Sequence, residues 1–402
     1  MRPVSVTSIR TSDYHEWRTR SVSVGGRNYH VATKPGLLNH GRDDAAMRLL
    51  AEKVIVTPGS TVAQLNCGSG LFGAVASAGH SAARVMLTDR SAVAVEAARR
   101  TFSMNGLSPD SVMPGHGSAP LGMATRADVV AIRIPTEKLA VLQLLADAFA
   151  MLTVGGHCCI AGATNEGIKS AAGLLASLFG NATVVGTDSG HRAVMAIKRH
   201  DAPRDASLLD NDALHHDMFR PLDVTLGGNA LHLFARPGVF SWEHLDDATK
   251  ILADVMDVQP DDDVLDLGCG SGALGLLAAQ RSGTGRVRLV DVDSEAIRCV
   301  HRAIDTMQIP NATAMCSDVA AAVRDERFDV VVTNPPFHVG KATDLDVPTQ
   351  FILDAWQVFK PGGRLMLVAN RTLPYEKLVQ ATFGNLTTVH DGPRFKVLSA
   401  RR

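Results

Sequence analysis

The stretch Val264-Leu-Asp-Leu-Gly-Cys-Gly-Ser-Gly-Ala-Leu-Gly275 decides the fold. A short apolar run of strand type enters a G-x-G-x-G loop, and the small and apolar residues after it open a helix. Glycines let the backbone pass close to a ligand, and the amides at a helix start favour an anionic group. Asp266, two residues before Gly268, is placed to fix an ammonium group, which a pyrophosphate ligand lacks. The loop spacing also differs from the G-x-G-x-x-G of dinucleotide binders.

A weaker echo, Val62-Ala-Gln-Leu-Asn-Cys-Gly-Ser-Gly-Leu-Phe-Gly73, lies 202 residues earlier, and the same offset relates Asp89 to Asp291. Further on, FDVVVTNPP (328–336) answers ADVVAIRIP (127–135), and PGGRLMLVAN (361–370) answers VGGHCCIAGA (154–163). Landmarks matched in one order imply two copies of one fold. In the second copy VLDLG, RVRLVDV, FDVVVTN and RLMLVAN read as buried parallel strands, with SEAIRCVHRAIDTM and PTQFILDAWQVF as helices between them. That alternation specifies an α/β fold, an open doubly wound sheet in each copy. The polar, proline-containing residues 201–221 read as a linker, giving domains 1–200 and 222–402. Directly after it, LDVTLGGNALHLFA (222–235) reads as a hairpin turning at Gly227-Gly228-Asn229. It leads into the loop and helix of RPGVFSWEHLDDATKILADVM (236–256).

Composition narrows the class. The 402 residues are 46% hydrophobic and 20% charged, which suits globular cores and excludes a disordered or collagen-like chain. No apolar run approaches the roughly 20 residues of a membrane helix, and the polar start MRPVSVTSIRTSDYHEWR does not read as a signal peptide. Six cysteines, at 67, 158, 159, 269, 299 and 316, form no CxxC pair. They predict reduced thiols in the cytoplasm and no metal site. The net charge of −1 argues against a uniformly basic nucleic-acid binder. Even so, residues 1–42 carry seven basic side chains against two acidic, and residues 371–402 carry six against two. Such ends suit either phosphate-backbone contact or solvated termini.

The chemistry concentrates in the second copy. Asp291 ends the second strand, where a carboxylate accepts hydrogen bonds from a ribose diol. Asp318 follows the third strand, placed to meet an adenine edge. A helix cap explains any one such aspartate, but three at successive strand ends point to a ligand. Asn334-Pro335-Pro336-Phe337 follows the strand DVVVT. Two prolines stiffen a loop at the carboxyl edge of the sheet, where such folds bind ligands. The Asn334 side-chain oxygen and the Pro335 carbonyl can both accept from one amine, and Phe337 offers a flat face. An NH₂ held between two acceptors beside an aromatic suits a nucleobase amino group.

These motifs resemble those of class I S-adenosylmethionine-dependent methyltransferases of the N-methylating type. The second half is similar, in particular, to the ribosomal RNA small-subunit guanine-N2 methyltransferase family and its large-subunit relatives. PGVFSWEHLD (237–246), VLDLGCGSGALG, VTNPPFHVG (332–340), PGGRLMLVANRTLPYEKLV (361–379) and GPRFKVLSA (392–400) carry the resemblance. It implies two tandem Rossmann-like methyltransferase domains, the first degenerate, and S-adenosylmethionine as cofactor. It further implies that Asp266, Gly268, Gly270 and Gly272 hold the methionine part, Asp291 the ribose and Asp318 the adenine, with Phe240 and Ser241 bordering the pocket. Asn334, Pro335, Pro336 and Phe337 would present the guanine N2 amine to the methyl donor, and His338 would shape the loop. Ribosomal RNA or a ribosomal subunit is the implied partner, with no membrane, for a monomeric chain.

In the first copy Gln64 and Asn66 stand opposite Asp266 and Gly268, His116 opposite Asp318, and Arg133-Ile134-Pro135-Thr136 opposite the Asn-Pro-Pro-Phe turn. This half is expected not to methylate, but to bind RNA or stabilise its partner. Among rival readings, an adenine N6 or protein glutamine target does not account for PGVFS or the FKV ending. A purely RNA-binding assembly factor leaves an intact catalytic motif set unexplained, and a nicotinamide oxidoreductase leaves the Asn-Pro-Pro turn unexplained.

Overall fold

Each copy begins with a two-stranded hairpin, β1 (Arg18–Val24) with β2 (Arg27–Thr33) in the first and β10 (Arg220–Leu226) with β11 (Asn229–Ala235) in the second. The turns are Gly25-Gly26 and Gly227-Gly228, and all four glycines have positive φ, as the tight type I′ hairpin turn demands. The second hairpin was legible in the sequence. The first repeats it 202 residues earlier.

The computed structural model describes residues 12–38, 40–79, 84–336 and 345–402. It divides into two compact units, one running from Trp17 to Met218 and one from Phe219 to Arg402, the latter joined by residues 12–16. In the first unit the hairpin is followed by α1 (Ala45–Lys53), β3 (Thr61–Leu65), α2 (Leu71–Gly79), β4 (Arg84–Asp89), α3 (Ala92–Met104) and β5 (Val112–Pro114). Then come β6 (Ala127–Arg133), α4 (Lys138–Met151), β7 (Leu152–Ala163), α5 (Ile168–Phe179), β8 (Thr183–Asp188) and β9 (His191–Ile197). The second unit continues from its hairpin with α6 (Asp247–Val255), β12 (Val264–Leu267), α7 (Ala273–Ser282), β13 (Val287–Asp291), α8 (Ser294–Met307) and β14 (Ala312–Cys316). It ends with β15 (Phe328–Thr333), α9 (Asp346–Gln357), β16 (Phe359–Asn370), α10 (Tyr375–Phe383), β17 (Thr387–Asp391) and β18 (Phe395–Arg401).

The two seven-stranded sheets have the same strand order, β5-β4-β3-β6-β7-β9-β8 and β14-β13-β12-β15-β16-β18-β17. In each sheet the first five strands are mutually parallel, and the sixth, β9 or β18, runs antiparallel to both of its neighbours, so the edge strand points the same way as the first five. The β-branched runs behave as buried strands should. Val330 and Val332 pack with Leu276 and Val300 on one face of the second sheet, while Val331 packs with Ile352 and Val379 on the other. Neither face is left to solvent, so both alternating sets must be apolar. The strand order reverses between β12 and β15, and their carboxyl ends carry the G-x-G-x-G loop and the Asn-Pro-Pro turn. Ligands of open sheets bind at this switch point.

Two boundaries differ from the sequence expectation. Residues 201–218 do not hang free. Gln143 Nε2 donates to the Leu214 carbonyl at 2.9 Å and His216 Nε2 lies 3.0 Å from Asp147, so this polar stretch is fastened to α4 of the first unit. Side-chain hydrogen bonds, invisible to hydrophobic periodicity, hold it there. The chain start goes the other way. Residues 12–16 belong with the second unit through the hydrogen bonds described below. All six cysteines are free thiols, and five of them are buried. No helix among the described residues is long and apolar enough to cross a membrane.

Candidate functional site

The G-x-G-x-G loop is held down from both sides. Gly268 and Cys269 donate their amides to the Val290 carbonyl at 2.9 and 3.0 Å, fastening the loop to β13. Gly268, Gly270 and Gly272 all have positive φ. A methyl group added at Gly272 would strike Val300 at 2.9 Å and one at Gly268 would strike Phe351 at 2.8 Å. At Gly270 it would meet nothing within 4 Å. The loop is thus packed at its two ends and open at its middle, where a ligand can approach the backbone.

Asp291, at the end of β13, accepts from Gly270 N at 2.8 Å through Oδ2 and from Asp293 N at 3.0 Å through Oδ1. The carboxylate is fixed beside the open middle of the loop. Next to it, the Ser294 hydroxyl oxygen at the start of α8 is buried with no partner among the described residues. A cradle open at Gly270, a fixed carboxylate and an unsatisfied hydroxyl fit the hydroxyl-rich ribose of S-adenosylmethionine.

Asp266 lies deeper than its motif suggests. It is 1% exposed, and its Oδ2 accepts from Gly275 N at 2.7 Å, bracing β12 against α7. Burial pushes its carboxyl up to about 7. In the first unit Gln64 Oε1 accepts from Gly73 N at 2.8 Å in the same register, so the brace survives the loss of the charge.

Asp318 follows β14 and is engaged by the start of the chain. Tyr14 donates its hydroxyl to Asp318 Oδ1 at 3.0 Å, and His15 Nδ1 lies 3.7 Å from Oδ2. His15 Nε2 is 3.1 Å from the buried Asp354 of α9, and Ser12 donates to Gln350 of the same helix at 2.6 Å. Hydrogen bonds to the two carboxylates raise His15 to about 9, so it is an imidazolium near neutrality. This strap was missed in the sequence because its partners lie more than 300 residues away.

At the Asn-Pro-Pro turn the geometry settles which way the amide faces. Asn334 Nδ2 donates to Asp246 Oδ2 at 3.0 Å and to Thr249 Oγ1 at 3.1 Å. An ionised carboxylate only accepts, so the nitrogen must face it and the Asn334 oxygen is turned the other way. Asp246 also caps α6, accepting from Thr249 N at 3.0 Å, and it is the last residue of the PGVFSWEHLD motif. Thr333 ties β15 to β12 by donating to the Leu267 carbonyl at 2.7 Å. Pro335 is buried and Pro336 exposed, while Phe337 and His338 lie outside the described residues. In the same motif Phe240 is more than half exposed and Ser241 sits at positive φ; just before it Arg236, fully buried, pairs with Glu295 at the head of α8. That ion pair fastens the motif beside Asp291. Asp246, Thr249, Glu295, Tyr14 and His15 are site residues that sequence reading did not single out.

The first unit keeps the frame and changes the contents. Gly68 N donates to Asp89 Oδ2 at 2.9 Å, as Gly270 does to Asp291. Arg133 stands where Asn334 would be, 5% exposed, bonded to Asp44 at 3.2 Å and to both oxygens of Glu166. An amine has no acceptor there.

A doubly wound sheet whose switch point offers a glycine loop, a carboxylate fixed beside it and an oriented Asn-Pro-Pro turn defines the second unit as a class I S-adenosylmethionine-dependent methyltransferase domain. Both copies match the family model of the Methyltransferase small domain, over residues 28–195 and 230–399. Ribosomal RNA small subunit methyltransferase C of Hahella chejuensis is 32% identical over 276 residues, covering 68% of this chain and 78% of that protein. Its counterpart in Pseudomonas aeruginosa is 29% identical over 284 residues, covering 71% and 81%. A solved structure of the T. thermophilus 16S rRNA N2 G1207 methyltransferase, in complex with AdoMet and guanosine, superposes with a TM-score of 0.80 at 28% identity, covering 97% of this chain and 98% of that one. The chain belongs to the ribosomal RNA small subunit methyltransferase C family.

Proposed function

We propose that the chain methylates the exocyclic N2 amine of a guanine in small-subunit ribosomal RNA, using S-adenosylmethionine, and that the chemistry occurs in the second unit. The orientation of Asn334 carries this reading: with its nitrogen committed to Asp246 and Thr249, its oxygen is an amine acceptor. The T. thermophilus relative was solved with AdoMet and guanosine, the two molecules this arrangement would bring together.

When bound, the cofactor supplies an electrophilic methyl group. Asp291 would take the ribose hydroxyls and Gly268, Gly270 and Gly272 the methionine part, with Asp266 acting from beneath by keeping the loop in register. Asp318, positioned by Tyr14 and His15, would meet the adenine edge, and Phe240 and Ser241 would border the pocket. The Asn334 oxygen and the Pro335 carbonyl would hold the two amine hydrogens, aligning the nitrogen lone pair and stabilising the positive charge that develops on it. Phe337 would stack on the base. No strong general base is required, because positioning and electrostatics supply the acceleration.

The first unit is assigned to RNA contact and support, with Arg18, Arg27 and Arg42 exposed on it. The enzyme would act in the cytoplasm, on assembled subunits or their RNA, as a monomer that carries both copies in one chain. The test is transfer of labelled methyl to purified unmodified subunits, followed by nucleoside analysis. N2-methylguanosine in the small subunit is expected. Label in another nucleoside, or only in the large subunit, would refute the assignment.

A further inference from the structure

The first unit contains a cavity of about 230 Å³ in the register of the cofactor site. Its lining joins the hairpin residues Arg20 and Val31, the loop residues Leu38 and Arg42, and Gly68 and Asp89 of the sheet edge. We infer that this cavity is a second binding site, for a nucleotide with a free ribose 2′,3′-diol and a short 5′ end, and not for S-adenosylmethionine.

The diol acceptor is the best-preserved part. Asp89 Oδ2 accepts from Gly68 N at 2.9 Å and Oδ1 from Ser91 N at 2.9 Å, repeating the pair that Asp291 makes with Gly270 and Asp293. Asp89 is 3% exposed, so its carboxylate is fixed in the wall. A hydrogen bond to such a buried charge is stronger than one at the surface. This step rests on the reading of Asp291 as the ribose acceptor.

The methionine end has been closed. Asn66 replaces Gly268 at positive φ and donates Nδ2 to the Arg133 carbonyl at 2.6 Å, spanning the gap between the ends of β3 and β6. Arg133, held by Asp44 and Glu166, fills the space beyond. A ligand with an amino-acid tail on its 5′ side is shut out. A phosphate is not, because the exposed Arg42 lines the same cavity and supplies positive charge, with Arg20, which Asp43 also holds, beside it. His116, buried and bonded to Gln143 at 3.1 Å, stands in the place of Asp318, so that position offers no carboxylate to select adenine over other bases.

The experiment is calorimetric titration of the full chain with AMP while S-adenosylhomocysteine saturates the second unit. One further equivalent of AMP should bind, and 2′-deoxy-AMP at least tenfold more weakly. Asp89→Asn should weaken AMP at least tenfold while methyl transfer persists. Should that variant not fold, Leu38→Trp, at a partly exposed position of the rim, fills the cavity without touching the loop and should have the same effect. A trinucleotide with a free 3′-terminal diol shares the chemistry. Tighter binding of it than of AMP assigns the source to an RNA end, and the reverse assigns it to a free nucleotide. No AMP binding, or binding indifferent to the 2′-hydroxyl and to both variants, overturns the inference. Loss of S-adenosylhomocysteine affinity in Asp291→Asn tests the Asp291 reading separately.

Discussion

Replacing Asp246 by alanine isolates the orientation of Asn334 from everything else in the site. Asp246 Oδ2 receives three donors: Asn334 Nδ2 at 3.0 Å, Thr249 N at 3.0 Å and Thr249 Oγ1 at 3.3 Å. Loss of the helix cap should cost about 1 kcal/mol of stability. Loss of a hydrogen bond to a charged group removes about 1.5–3 kcal/mol of preference for the productive amide orientation. Since about 1.4 kcal/mol is tenfold, kcat should fall by roughly 10- to 100-fold. The lower end is expected, because Thr249 Oγ1 remains as a second partner at 3.1 Å. The assay is single-turnover methyl transfer to small subunits, with cofactor affinity by calorimetry and a melting curve on the same sample. Cofactor affinity should stay within about twofold, since Asp246 does not touch the glycine loop or Asp291. Asp246→Asn, which still presents an oxygen to both Thr249 N and Asn334 Nδ2, should recover most of the rate. A variant that melts lower yet keeps kcat within twofold would refute the claim that Asp246 sets the amide, and so would a parallel loss of cofactor affinity.

Asn334→Ala should remove most turnover with cofactor affinity nearly unchanged, read by the same pair of assays. Tyr14→Phe should raise the KM for S-adenosylmethionine several-fold with little change in kcat, because it removes one of the groups that position Asp318 without removing Asp318 itself; unchanged KM in initial-rate kinetics would count against this. His15 is raised from 6.5 to about 9, so its contribution to docking of the strap is complete below about pH 6.5 and is lost as pH rises through 9. Protease protection of the chain start should fall over that window, and His15→Gln should flatten the profile. Asp266, raised by burial from 3.8 to about 7, opposes stability increasingly as pH rises between those two values, and by a constant amount above about 7. Asp266→Asn keeps an oxygen for Gly275 N and removes the charge, so melting temperature should fall less, or rise more, between pH 5 and pH 7.5 than in the parent chain. Glu295→Ala strips the partner from the fully buried Arg236, and denaturant unfolding should show a loss of about 3–5 kcal/mol.

The repeat made the fold legible. Because Val264–Leu267 and Val330–Val332 are buried on both faces, their hydrophobic runs are continuous and easy to find. The candidate residues Asp266, Gly268, Asp291 and Asn334 stood out for a related reason: each sits at or near the end of such a run, at the sheet edge where folds of this type bind ligands. What sequence did not reveal depends on distance and on direction. Asp246 reads as a plain helix cap until Asn334, 88 residues later, is seen against it. Tyr14 and His15 lie in a basic terminal stretch, and nothing local separates a docked tyrosine from a solvated one. Gln64 looked like lost chemistry beside Asp266, although it preserves the bond to the helix amide.

The bond between Tyr14 and Asp318 spans 304 residues of chain, and the whole first unit lies between them. During synthesis the strap therefore leaves the ribosome first and its dock nearly last. At the roughly 5–20 residues per second of translation, Tyr14 waits on the order of 15–60 s before Asp318 exists. In that time the first unit can finish folding, so the strand-end aspartate of the second unit is gripped only after the first unit has had time to form. Cutting away the first 200 residues would accordingly remove a piece of the second unit along with the first. A shortened chain meant to keep the cofactor site whole has to retain residues 12–16 as well as Phe219–Arg402.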